Sequence, residues 1–77
     1  MEASDEEIVE LLRRLSPRQR ELLRLLGSGE SIRDAAGTMG ISRKTATGHK
    51  CQLMYRIEVT SREELVVFAK RAEAFEV

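Results

Sequence analysis

The chain has 77 residues, 42% hydrophobic and 34% charged, with 13 basic residues balancing 13 acidic ones. That length suits one small domain with a modest core, and the hydrophobic share excludes a disordered chain. The single cysteine excludes an internal disulfide or a thiolate metal cluster, and no apolar stretch approaches the roughly 20 residues of a membrane span.

The N-terminus is acidic (Glu2, Asp5, Glu6, Glu7), the opposite of a signal or transit peptide. A cytoplasmic protein with no membrane partner is therefore expected. One proline, three aromatics and no alternating β-branched run point to an all-α class. Charge is unevenly spread. Residues 1–10 hold five acids and no base; residues 11–57 hold ten bases and three acids; residues 58–77 hold three bases and five acids. A middle of net +7 between acidic ends favours a polyanionic partner.

Capping residues and apolar spacing predict five helices. The first runs from Ser4 to Leu15, with Ser4 and Glu7 as a capping box and Ile8, Leu11, Leu12 and Leu15 as its stripe. The second opens at Ser16, with Pro17 at the first helical position and Gln19 completing a box, and ends at Gly27-Ser28-Gly29. Leu22, Leu23 and Leu26 face inward. The third opens at Ser31, buries Ile32, Ala35, Ala36 and Met39, and stops at Gly40. The fourth opens at Ser42 and buries Ala46, Leu53 and Ile57, with His49 at the edge of the stripe in a structural role. The last opens near Thr60 or Ser61, with Glu63 or Glu64 as the reciprocal acid, and runs to about Ala74. A division at residue 15 is expected, with an acidic amphipathic helix before it and the main domain, 16–77, after it.

A short helix, a glycine stop, one apolar residue and a serine opening a longer helix make a helix-turn-helix. Such a unit lays its second helix in the major groove of duplex DNA. With Ala46, Leu53 and Ile57 inward, Lys44, Thr47, Gly48, Cys51 and Tyr55 fall on the opposite face. Only Lys44 belongs to the residue types that read base edges well. Thr47 offers a hydroxyl and a methyl, Cys51 an apolar contact or an oxidisable thiol. Gly48 admits close approach of a backbone or phosphate, or is simply an unselected surface position. Arg33, Arg43, Lys44, Lys50 and Arg56 reach towards flanking phosphates, and so do the helix N-termini at Ser31 and Ser42.

These residues resemble the LuxR-type helix-turn-helix family of bacterial regulators, over roughly Leu15 to Ala72. The opening Leu15-Ser16-Pro17-Arg18-Gln19-Arg20-Glu21-Leu22-Leu23 is similar to the family's L-[ST]-x-R-E-x-E-[VI]-L. Ala36, Gly40, Ile41, Ser42, Thr45, His49, Leu53, Arg56, Ile57 and Val59 match the middle, and Arg62, Glu64, Leu65, Val66 and Ala69 the close. The resemblance implies a small helical bundle, a four-helix core plus an N-terminal helix. It also implies that Thr47, Gly48 and Cys51 face bases, that Thr45 belongs to the DNA-binding helix, and that the last helix mediates dimerisation. Val67, Phe68 and Ala72 are the candidates for that face; the alternative is that the first helix covers them. The chain departs from the family at Ala35 and Ala46, where bulkier aliphatics are usual, at Thr47, Gly48 and Cys51, and at Glu58, where glycine often ends the helix.

Two functions follow. The first is a transcription regulator, or its output domain, binding duplex DNA as a homodimer with weak base readout. The second is a helix-turn-helix that has lost DNA reading and contacts RNA polymerase, a sigma factor or another regulator. Nothing in the sequence assembles a catalytic site, a metal site or a cofactor site.

Overall fold

Five serines in five N-cap positions set the fold. In the computed structural model, which describes residues 4–75, Ser4, Ser16, Ser31, Ser42 and Ser61 each hold extended backbone. Each accepts a hydrogen bond from the amide three residues on. The helices they open are α1 (Asp5–Arg13), α2 (Pro17–Gly27), α3 (Ile32–Met39), α4 (Arg43–Arg56) and α5 (Arg62–Ala72). A single 3-10 turn, Glu73–Phe75, follows α5. Among the described residues there is no strand and no helix long and apolar enough to cross a membrane. Glu2 of the acidic N-terminus and Glu76 lie outside the described residues.

The second capping box forms in full. The Ser16 hydroxyl accepts from the Gln19 amide at 3.2 Å, and Gln19 Oε1 accepts from the Ser16 amide at 3.1 Å. At the start of α5 the ambiguity resolves to Ser61 and Glu64. The Glu64 carboxylate accepts from both the amide and the hydroxyl of Thr60, at 3.1 and 2.8 Å. These bonds stabilise the ionised form and hold the Glu64 carboxyl below its ordinary value of 4.5. Two helices are shorter than expected: α1 ends at Arg13 and α5 at Ala72. Leu15 is then carried on a tight turn by its amide bond to Leu12 O.

Gly40 takes the left-handed conformation, φ 69°, that only glycine adopts cheaply, and it turns the chain from α3 into α4. Glu58 takes φ 61° without that freedom, at the end of α4 where glycine is usual in the family.

One apolar cluster joins all five helices. It contains Ile8, Leu11 and Leu12 of α1, Leu22, Leu23 and Leu26 of α2, Ala35 and Met39 of α3, Leu53 of α4, and Leu65, Phe68, Ala69 and Ala72 of α5. Ile32 is half-buried at its margin rather than inside it. Ala35 and Ala46 are both 0% exposed, so each small side chain is fully enclosed. Gly27 lets α2 and α5 approach closely, since a Cβ there would lie 2.5 Å from the Ala69 Cβ.

Candidate nucleic-acid interface

The helix-turn-helix is α3, the Gly40 turn and α4, carried on α2. Its second helix is scarcely amphipathic, and of its fourteen residues only Ala46 and Leu53 are buried. The rest of α4 is therefore available to solvent in large part. Lys44, Thr47, Gly48, Cys51 and Tyr55 are all exposed, as the helical period predicts, with Tyr55 at 84%. Apart from its chain neighbours and the backbone of its own helix, nothing lies within 4 Å of a Cβ built on Gly48, so no packing inside this chain requires glycine there. Cys51 is a free, exposed thiol.

The two helix N-termini differ electrostatically. The first turn of α4 contains no acid and carries Arg43 and Lys44. Its amides are capped by Ser42, whose hydroxyl bonds the Thr45 amide at 3.0 Å and the Thr45 hydroxyl at 2.9 Å. The first turn of α3 instead carries Asp34, whose amide bonds Ser31 Oγ at 3.1 Å. An anion is better received at Ser42 than at Ser31, because the Asp34 carboxylate already occupies the positive end of the α3 dipole. Arg33, Arg43, Lys44 and Lys50 enter no ion pair among the described residues. The Lys50 stem is half-buried and shares a small crevice with Leu26, Ile32, Arg62, Leu65 and Val66.

Arg56 is placed differently from the other bases. Its Nη1 donates to Gln19 Oε1 at 3.0 Å and to the Arg14 carbonyl at 3.2 Å, so it braces α4 against the α1–α2 junction. Arg14 returns the contact, donating to the Arg56 carbonyl at 3.3 Å and to Glu58 at 3.0 Å. Arg18 donates to the Met39 carbonyl at 3.2 Å, at the end of α3. Two arginines thus sit on the negative ends of the two helix dipoles of the motif. Three of the ten bases of residues 11–57, Arg14, Arg18 and Arg56, hold the motif in place.

Gln19 is the buried polar residue at the centre of this bracing, 2% exposed. Besides closing the capping box and accepting from Arg56, it donates from Nε2 to Gln52 Oε1 on α4 at 3.1 Å. Sequence reasoning finds only its cap role, since the two α4 partners lie 33 and 37 residues away. The available signal is that the family's pattern carries glutamate at this place, another side chain able to accept from Arg56.

The proposed dimer residues need correction. Phe68 and Ala72 are 0% and 1% exposed and belong to the core, alongside the apolar residues of α1. The first helix needed somewhere to bury Ile8, Leu11 and Leu12, and α5 supplies it. Val67 alone of the three stays on the surface, at 44%.

A bundle that displays a capped, acid-free and basic helix behind a glycine turn is a helix-turn-helix domain of the kind that meets nucleic acid. Residues 13–69 match the model of the bacterial regulatory proteins of the luxR family. The chain belongs to that family. It is 40% identical over 57 residues to BvgA of Bordetella pertussis, named for positive transcription regulation of virulence factors. That match covers 74% of this chain and 27% of BvgA. It is 34% identical over 62 residues to the oxygen regulatory protein NreC of Staphylococcus epidermidis, covering 80% and 28% of the two chains. The transcriptional regulatory protein MctR of Rhizobium johnstonii is 34% identical over 55 residues, 71% of this chain and 26% of its own. The chain therefore spans about a quarter of the length of these relatives.

Proposed function

We propose that this chain binds duplex DNA in the bacterial cytoplasm as the DNA-contacting unit of a transcription regulator, acting as a homodimer. Helix α4 enters the major groove with Lys44, Thr47, Gly48 and Cys51 towards the bases. Arg33, Arg43, Lys50 and the amides behind Ser31 and Ser42 meet the phosphates. The observation that carries this reading is the first turn of α4, which has a serine cap, two cations and no acid. Arg56 is left out of the phosphate set, because its guanidinium is engaged with Gln19 and Arg14. Most of the binding energy then comes from the backbone, and discrimination between sequences is small.

The test is a fluorescence-anisotropy titration of a mixed-sequence duplex at about 50 and 200 mM salt, where counterion release makes affinity fall steeply. Arg43→Ala and Lys50→Ala should each weaken binding on all sequences alike and lower the salt slope by about one. Absence of binding at low salt overturns the reading. It would favour a protein partner instead, a reading supported by the small, uncharged groove positions Thr47, Gly48 and Cys51.

A further inference from the structure

We propose that Arg62, the first residue of α5, is a further contact to the duplex backbone beside Lys50, so that the DNA-facing surface extends from the helix-turn-helix onto the last helix. The proposal deepens the duplex-binding reading above and rests on it.

Arg62 and Lys50 reach one crevice from different helices. Its other lining residues are all apolar: Leu26 of α2, Ile32 of α3, and Leu65 and Val66 of α5. Lysine and arginine stems lie along such a surface while their charged heads stay in water, which brings two cations together at the crevice mouth. Neither enters an ion pair among the described residues. The nearby acids leave the two cations uncompensated. Glu64 is turned onto Thr60, at 3.1 and 2.8 Å, and neither Asp34 of α3 nor Glu63 of α5 lines the crevice.

Two like charges side by side repel, and an anion at the mouth relieves that repulsion. The place of Lys50 on α4 identifies the anion. By helical period Lys50 lies neither on the outward face of Lys44, Gly48 and Cys51 nor with buried Ala46 and Leu53, but on the flank between them. A helix seated in the major groove, about 12 Å wide, has a phosphate strand along each flank. The strand on the Lys50 flank is therefore the one within reach of Arg62, and successive phosphates along it offer a partner to each cation. Such contacts fix the register of α4 in the groove and leave base readout to its outward face.

The test is the anisotropy titration of a mixed-sequence duplex with the full chain, run on Arg62 variants. Arg62→Ala should bind every sequence more weakly and lower the salt slope by about one. Its deficit is then about three- to fourfold greater at about 50 than at 200 mM salt. Arg62→Lys should keep the wild-type slope, because a phosphate contact needs the charge rather than the fork. Lys70→Ala removes the same charge from the last turn of α5 and should leave the slope unchanged. Arg62 is exposed, so Arg62→Ala should melt as the wild type does. A wild-type slope in Arg62→Ala overturns the proposal, and so does an equal fall in Lys70→Ala, which would mark a general charge effect. Inorganic phosphate at constant ionic strength should not raise the melting temperature; a rise that Arg62→Ala abolishes would assign the crevice to a free anion and overturn the duplex contact. If the wild type binds and Arg62→Ala is indifferent, this inference alone fails; if the wild type does not bind, the duplex reading fails with it.

Discussion

Gln19→Leu removes the side chain that ties the recognition helix to the body of the domain while conserving most of its volume. Three hydrogen bonds are lost: from the Ser16 amide at 3.1 Å, from Arg56 Nη1 at 3.0 Å, and to Gln52 Oε1 at 3.1 Å. Bonds between neutral groups contribute about 1 kcal/mol net, and those to a charged group about 1.5–3 kcal/mol. Arg56 and Gln52 are exposed and regain water, so their shares fall at the low end, and the buried leucine offsets part of the remainder. The expected loss is about 2 kcal/mol, which for a domain of this size lowers Tm by about 10 °C. Urea denaturation of Gln19→Leu, Arg56→Met and the double variant measures it. The two changes should be coupled by about 1 kcal/mol, since both remove the same bond. Additivity to within about 0.5 kcal/mol would refute the bracing role. The circular dichroism of Gln19→Leu should remain helical, while its affinity for duplex DNA falls, because α4 is less firmly held against α2.

Gly27→Ala should destabilise the domain by about 2 kcal/mol in thermal melts, because its Cβ would lie 2.5 Å from that of Ala69 and force α2 away from α5. Gly48→Ala should instead stabilise by about 1 kcal/mol, since the site is helical, exposed and open to a methyl group. A parallel fall in DNA affinity for that variant would show that the glycine admits a close approach by the duplex. Glu58→Gly should raise stability by about 0.5–1 kcal/mol in urea titrations, the relief of φ 61° outweighing an exposed ion pair to Arg14. Glu64→Gln should flatten the acid limb of the stability–pH curve. The Glu64 contribution is present above the ordinary carboxylate value of 4.5 and is lost as pH falls through its lowered folded value.

Local chemistry made the helices legible from the chain alone. A serine cap acts on amides two or three residues away, and Gly40 answers a steric demand of its own φ angle, so both signals survive in a linear reading. The exposed face of α4 also follows from period alone once Ala46 and Leu53 are set inward. The fate of α5 does not follow in that way. Leu65, Val66, Val67, Phe68 and Ala69 are apolar on every side, and only the packing of α5 against both α1 and α2 decides that Phe68 and Ala72 belong to the core and Val67 to the surface.

The same limit applies to the charges. Ten bases in the middle of the sequence form one undifferentiated excess when counted along the chain. The tertiary structure divides them: Arg14, Arg18 and Arg56 hold helix ends and junctions, while Arg33, Arg43, Lys44 and Lys50 are left outside any ion pair among the described residues. What a sequence determines by itself is set within one helical turn, by caps, stops and periodicity. Whether a long polar side chain braces the fold or faces a partner depends on carbonyls and amides brought close from 21 to 42 residues away, as with Arg18 and Met39 or Arg14 and Arg56. Only the folded chain creates those distances.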